Sequence, residues 1–97
     1  MHVAAMRVDL RVLDAQSLKD KRRVLKSLTA QIAKAQVVAV AEVDYQDLWQ
    51  RSALGIAAVS AQAGQVDRIL HTIQRDLRGR TDVEVLGVVV SHLEEPE

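Results

Sequence analysis

A two-layer α+β sandwich, with strands and helices in the order βαββαβ, is the fold this sequence predicts. Three observations carry it. Residues 3–13 alternate between apolar and polar; residues 18–35 and 66–77 repeat apolar residues at helical spacing; and residues 37–43, 53–60 and 82–92 are short runs rich in Val and Ala. Alternation at period two marks a strand with one buried face. Recurrence at i, i+3, i+4 and i+7 marks a helix with one buried stripe.

The first strand puts Ala4, Met6, Val8, Leu10 and Val12 on one face and Arg7, Asp9 and Arg11 on the other. Asp14-Ala15-Gln16 is a short connection. Ser17 then fits a helix N-cap, with Asp20 three positions on as a shortened capping box, because both side chains accept hydrogen bonds from unpaired backbone N–H groups. The helix is expected to run to about Ala35 and to bury Leu18, Leu25, Leu28, Ile32 and Ala35, with Val24 at the edge. Lys19, Arg22, Arg23 and Lys26 share the opposite face. Lys21 falls inside the apolar stripe, and is expected to snorkel with its stem on the core and its ammonium at the rim.

Val37–Val43 is the second strand by its β-branched content, and Ala53–Ser60 the third. Residues 44–51 between them are expected to hold a hairpin connection, although no Asn-Gly turn signal occurs there. Ala61–Gln65 reads as a loop. The second helix buries Val66, Ile69, Leu70, Ile73 and Leu77, and Gly79 is placed to end it as a C′ residue. Asp82–His92 is the fourth strand. Residues 1–93 are thus expected to form one domain, and residues 94–97 a solvated acidic tail.

Composition bounds the function. The chain has 97 residues, 48% of them hydrophobic, which is enough for a single core. Tyr45 and Trp49 are its only aromatics, so that core is aliphatic. Thirteen basic and thirteen acidic residues cancel, so any attraction to a polyanion has to be local. Without cysteine there is no disulfide or thiolate metal site, and a reducing cytoplasm is the expected setting. No stretch reads as a secretion leader or a membrane span, so no membrane association is expected.

Catalytic and cofactor motifs are missing too. No Walker, dinucleotide-glycine or G-x-S-x-G pattern occurs, and His2, His71 and His92 lack ligand spacing. Glu42, Asp44 and Asp47 lack an EF-hand spacing, and are expected to pair with arginines instead of a metal. No cofactor, no metal and no enzymatic activity are expected.

The element order matches the ferredoxin-like plan, with an antiparallel sheet in the order 4-1-3-2 and both helices on one face. In that plan the start of the first helix, the hairpin after the second strand and the end of the second helix meet at one pole. Residues 17–26 bring five cations and one anion there, where helix electrostatics disfavours cations and favours a bound anion. Ser17, Lys19, Lys21, Arg22, Arg23, Lys26, Arg75, Arg78 and Arg80 are therefore candidate anion or RNA contacts. Glu42, Asp44, Tyr45, Gln46, Asp47, Trp49 and Arg51 are candidate interaction residues on the hairpin. RNA readers of this fold stack bases on strand aromatics, but strands one and three offer none here.

Two stretches carry a resemblance: Ser17-Leu18-Lys19-Asp20-Lys21-Arg22-Arg23, and residues 42–51, which continue into Leu54-Gly55-Ile56-Ala57-Ala58-Val59-Ser60. Over essentially the whole chain, the sequence resembles the YlxP-like family of small bacterial proteins of unknown function, with Tyr45 standing where many relatives have His. The resemblance implies the same fold, a bacterial origin and, from the family's gene neighbourhood, an RNA-linked role. Two functions are therefore expected. The first is a binding protein that docks on RNA or a ribosomal particle through the basic helix start. The alternative is a homodimeric interaction or regulatory domain that pairs through the open sheet face, since strands two to four are apolar on both faces.

Overall fold

The computed structural model describes residues 1–94. The elements run β1 (His2–Val12), α1 (Leu18–Ala35), β2 (Ala39–Asp44), β3 (Arg51–Ser60), α2 (Ala63–Arg78) and β4 (Val83–Glu94). The four strands form one antiparallel sheet in the order β2-β3-β1-β4, which is the predicted order read from the other edge. Both helices cover the same face.

The core is aliphatic, as the composition requires. Met6, Val8 and Leu10 of β1 and Leu54 and Ile56 of β3 meet Leu28 and Ile32 of α1 and Val66, Ile73 and Leu77 of α2. Ser17 caps α1 by accepting the Asp20 N–H at 3.0 Å, while the Asp20 carboxylate accepts the Gln16 N–H at 3.1 Å. Both halves of the expected capping box are in place.

Boundaries differ where burial gives no pattern to read. The first turn of α2, Ala63 to Gln65, is exposed on all sides, so its residues carry no apolar period, yet they are helical. β3 starts two residues earlier than expected because Arg51 and Ser52 pair with Arg11 and Leu10 of β1. β2 starts later, at Ala39, since Val37 projects into solvent and the ladder with β3 begins at Ala39. β1 is shifted by one residue. Gly79 ends α2 from a right-handed conformation (φ −82°), not as a left-handed C′ residue; its N–H bonds the Arg75 and Asp76 carbonyls and tightens the last turn. β4 extends to Glu94, so the expected tail begins later, and the rest of it lies outside the described residues.

One irregularity positions the site. The β2–β3 register shifts between Glu42 and Asp44: Glu42 lies opposite Leu54, Asp44 opposite Ala53. Glu42 faces the helices by regular alternation with Val40, and the β-bulge after it leaves both Val43 and Asp44 on the open face. Gly55 permits it, because a Cβ there would stand 2.8 Å from a Val43 methyl.

Candidate functional site

Lys21 organises the pole, though not in the way its position in the helical stripe suggests. Its side chain is 1% exposed, and the ammonium does not reach the rim. It lies 3.1 Å from a Glu42 carboxylate oxygen and donates to the carbonyls of Tyr45 (2.7 Å), Arg51 (3.2 Å) and Gln46 (3.3 Å). Ser52 donates its hydroxyl to the same Glu42 oxygen at 2.7 Å. A buried ammonium needs this many partners to offset its lost hydration. Lys21 is therefore removed from the anion-contact candidates: it is a rivet between α1 and the hairpin.

The riveted hairpin spans residues 45–50. Tyr45 takes a left-handed conformation (φ 62°), an uncommon one for a bulky side chain. Four contacts hold it there: its N–H donates to the Asp44 carboxylate at 2.8 Å, its carbonyl accepts from Lys21 and from the Leu48 N–H at 3.0 Å, and the Arg51 guanidinium lies 4.6 Å from its ring centre. The Gln50 side chain donates to the Ala15 carbonyl at 3.0 Å, tying the hairpin to the β1–α1 connection. Gln46, Asp47, Leu48, Trp49 and Gln50 are all exposed, Trp49 by 52%.

The acidic candidates diverge. Glu42 points under α1, Asp47 stands in solvent at the tip, and Asp44 lies on the open face, 3.1 Å from Arg7, which also binds Asp9 at 3.2 Å. The Arg7 hydrogen bond, aided by the Tyr45 N–H, holds the Asp44 carboxyl below the usual carboxylate range. Among the described residues, no three acidic or histidine side chains gather as metal ligands.

The basic candidates divide into two groups. Arg80 is committed: it forks onto Asp82 at 2.8 and 2.7 Å, and donates to Gln31 at 2.7 Å and to Ser27 at 3.4 Å. This clamps the α2–β4 connection to the middle of α1, not to its first turn, so Arg80 leaves the anion set. Ser17 is committed as the cap. Arg75 and Arg78 are exposed, Arg75 within 3.9 Å of Asp76. Lys19, Arg22, Arg23 and Lys26 are exposed on the outer face of α1. Among the described residues, none of these four makes an ion pair or a side-chain hydrogen bond.

The Arg80 clamp has a pH signature. The Arg80 hydrogen bonds hold the Asp82 carboxyl below its ordinary value. A carboxyl depressed by folding contributes stability above its unfolded pKa, and that contribution disappears as pH falls through the lower, folded value. Wild type should therefore lose more stability on acidification below about pH 4 than Arg80→Ala does. Urea midpoints at neutral and acid pH check this: the gap between the two proteins should narrow in acid.

Sequence reasoning missed Ser52, Gln50, Gln31 and Ser27, polar partners whose roles exist only across elements. Arg7 and Asp9 were visible as a polar face, but not as the clasp on Asp44. A lysine inside an apolar stripe was the available signal that a buried partner had to exist.

Two layers, the order βαββαβ and a four-stranded antiparallel sheet define this chain as a small ferredoxin-like α+β protein. Two designed proteins share that architecture. Foldit4 superimposes with a TM-score of 0.55 over 97% of this chain and 99% of its own, at 15% identity. The designed protein LFR1 1, with a ferredoxin fold, matches at 0.55 over 100% of this chain and 88% of its own, at 11% identity. At such identity the likeness shows fold alone. Residues 3–90 match the protein family of unknown function DUF503, and the chain belongs to that family. It is 42% identical over 62 residues to the uncharacterized protein YlxP of Bacillus subtilis (strain 168), covering 64% of this chain and 67% of that protein. No described helix is long and apolar enough to cross a membrane.

Proposed function

We propose that this protein binds RNA, free or within a ribosomal particle, through the outer face of α1, and that it is a binding protein rather than an enzyme. One observation carries the reading. Lys19, Arg22, Arg23 and Lys26 stand together in solvent while four nearby carboxylates are occupied elsewhere, Glu42 by Lys21, Asp44 by Arg7, Asp82 by Arg80 and Asp20 by the cap, and the exposed Asp47 makes no ion pair with them among the described residues. In a chain of zero net charge, this is positive surface that its own acids do not neutralise.

Exposed lysines and arginines on one helix face contact phosphates without reading sequence. The Trp49 hairpin is riveted to the first turn of the same helix, and its exposed ring offers a base a stacking surface. The binding mode is therefore backbone charge plus one stacking contact, suited to single-stranded or looped RNA.

Amide shift mapping with a short single-stranded RNA tests it. The expected result is movement of the α1 amides around residues 19–26 together with the Trp49 indole N–H. Shifts confined to the open sheet face, or none at all, would reject the reading.

A further inference from the structure

We propose that the open face of the sheet is a twofold interface between two copies of this chain. The inference is independent of the RNA reading, because it rests on the opposite face of the molecule. Relief on that face is uneven. On the β4 edge Val89 and Leu93 stand 63% and 68% exposed, while the first half of the β2 edge carries the small Ala39 and Ala41, with Val43, 48% exposed, closing the far end. With Gly55 and Ala57 these alanines leave a shallow apolar trough of about 310 Å³.

The two edges complement each other in a way that suits a second copy. A twofold axis lying between two such faces, parallel to the strands, reverses the strand order of the partner. β4 of each copy then lies over β2 of the other, and large side chains meet small ones twice at once. The registers put Val89 and Ala41 on the same transverse row, since Val89 is opposite Arg7, Arg7 opposite Gly55, and Gly55 opposite Ala41.

Area and charge agree with that occupant. The strands, of 11, 6, 10 and 12 residues at about 3.3 Å per residue and about 4.8 Å apart, together present roughly 600 Å² of sheet per copy. That is the order of the ~800 Å² per partner in a standard stable interface. The charges on this face are matched within each chain, Arg7 with Asp9 and Asp44, and Arg11 with Glu84 at 3.7 Å. A polyanion gains nothing from such a face, whereas a second copy meets no net repulsion.

Sedimentation of the full chain tests the proposal. Wild type at about 200 µM should sediment at twice the 10.7 kDa chain mass, and Val89→Glu should remain monomeric at the same concentration. A second readout needs no substitution: in a mixture of isotope-labelled and unlabelled chains, the Val89 methyls should show intermolecular contacts to the Ala41 methyl, whereas within one chain these positions are three strand spacings apart, roughly 14 Å. A monomeric wild type, a dimer that Val89→Glu leaves intact, or a dimer without Val89–Ala41 contacts would each overturn the interface.

Discussion

Lys21→Met is expected to destabilise the protein by about 3–5 kcal/mol, the usual cost of removing one partner from a buried ion pair. For a chain of this size that lowers the melting temperature by about 15–30 °C. Methionine keeps the stem and its packing, so the loss isolates the ammonium. Without it, the Glu42 carboxyl loses its cation in a largely covered site, and the carbonyls of Tyr45, Gln46 and Arg51 lose their shared donor. The left-handed Tyr45 then loses one of its four restraints, so protection of the residue 45–50 amides should fall more than that of the core.

A double-mutant cycle with Glu42→Met separates the pair from its surroundings. Replacing both partners with apolar groups should cost clearly less than the two single changes added together, with a coupling of at least about 1 kcal/mol. Thermal and urea unfolding followed by circular dichroism give both quantities. A Lys21→Met protein within about 1 kcal/mol of wild type would mean that the rivet contributes little.

Reversing charge at Arg22 and Arg23 together should weaken RNA binding on the order of 100-fold at moderate salt, while leaving the melting temperature nearly unchanged. Both side chains are exposed and unpaired among the described residues, so folding loses no contact. Binding loses two phosphate contacts and gains two repulsions. The contrast with Lys21, one position earlier, is the useful part. Adjacent cations on one helix are predicted to affect different properties, Lys21 stability and Arg22 affinity. Fluorescence anisotropy with a labelled RNA, beside a thermal melt of the same samples, distinguishes them.

The split between Lys21 and its neighbours also marks how far the sequence could be read. Helical periodicity put Lys19, Arg22, Arg23 and Lys26 on one outer face, and they are there. It put Lys21 among apolar residues, also correctly. The destination of the ammonium was not legible, because it depends on α1 packing over the end of β2 and on a hairpin that bends its Tyr45 and Gln46 carbonyls back toward Lys21. Long-range pairings of that kind leave no local period. Arg80 fails for the same reason: proximity to the end of α2 suggested a free cation, whereas its fork is closed by Asp82 two residues on and by side chains of α1. Strand order, by contrast, was legible, since element order and crossover handedness leave few topologies.

The central claim is that positive charge on the outer face of α1 is left open for an external polyanion. The salt dependence of RNA affinity tests it most directly. Four contacts predict that log affinity falls against log salt with a slope of about −3, and that the slope is about halved in the Arg22→Glu, Arg23→Glu protein. An affinity that does not change with salt, or a slope the double reversal leaves untouched, would contradict it.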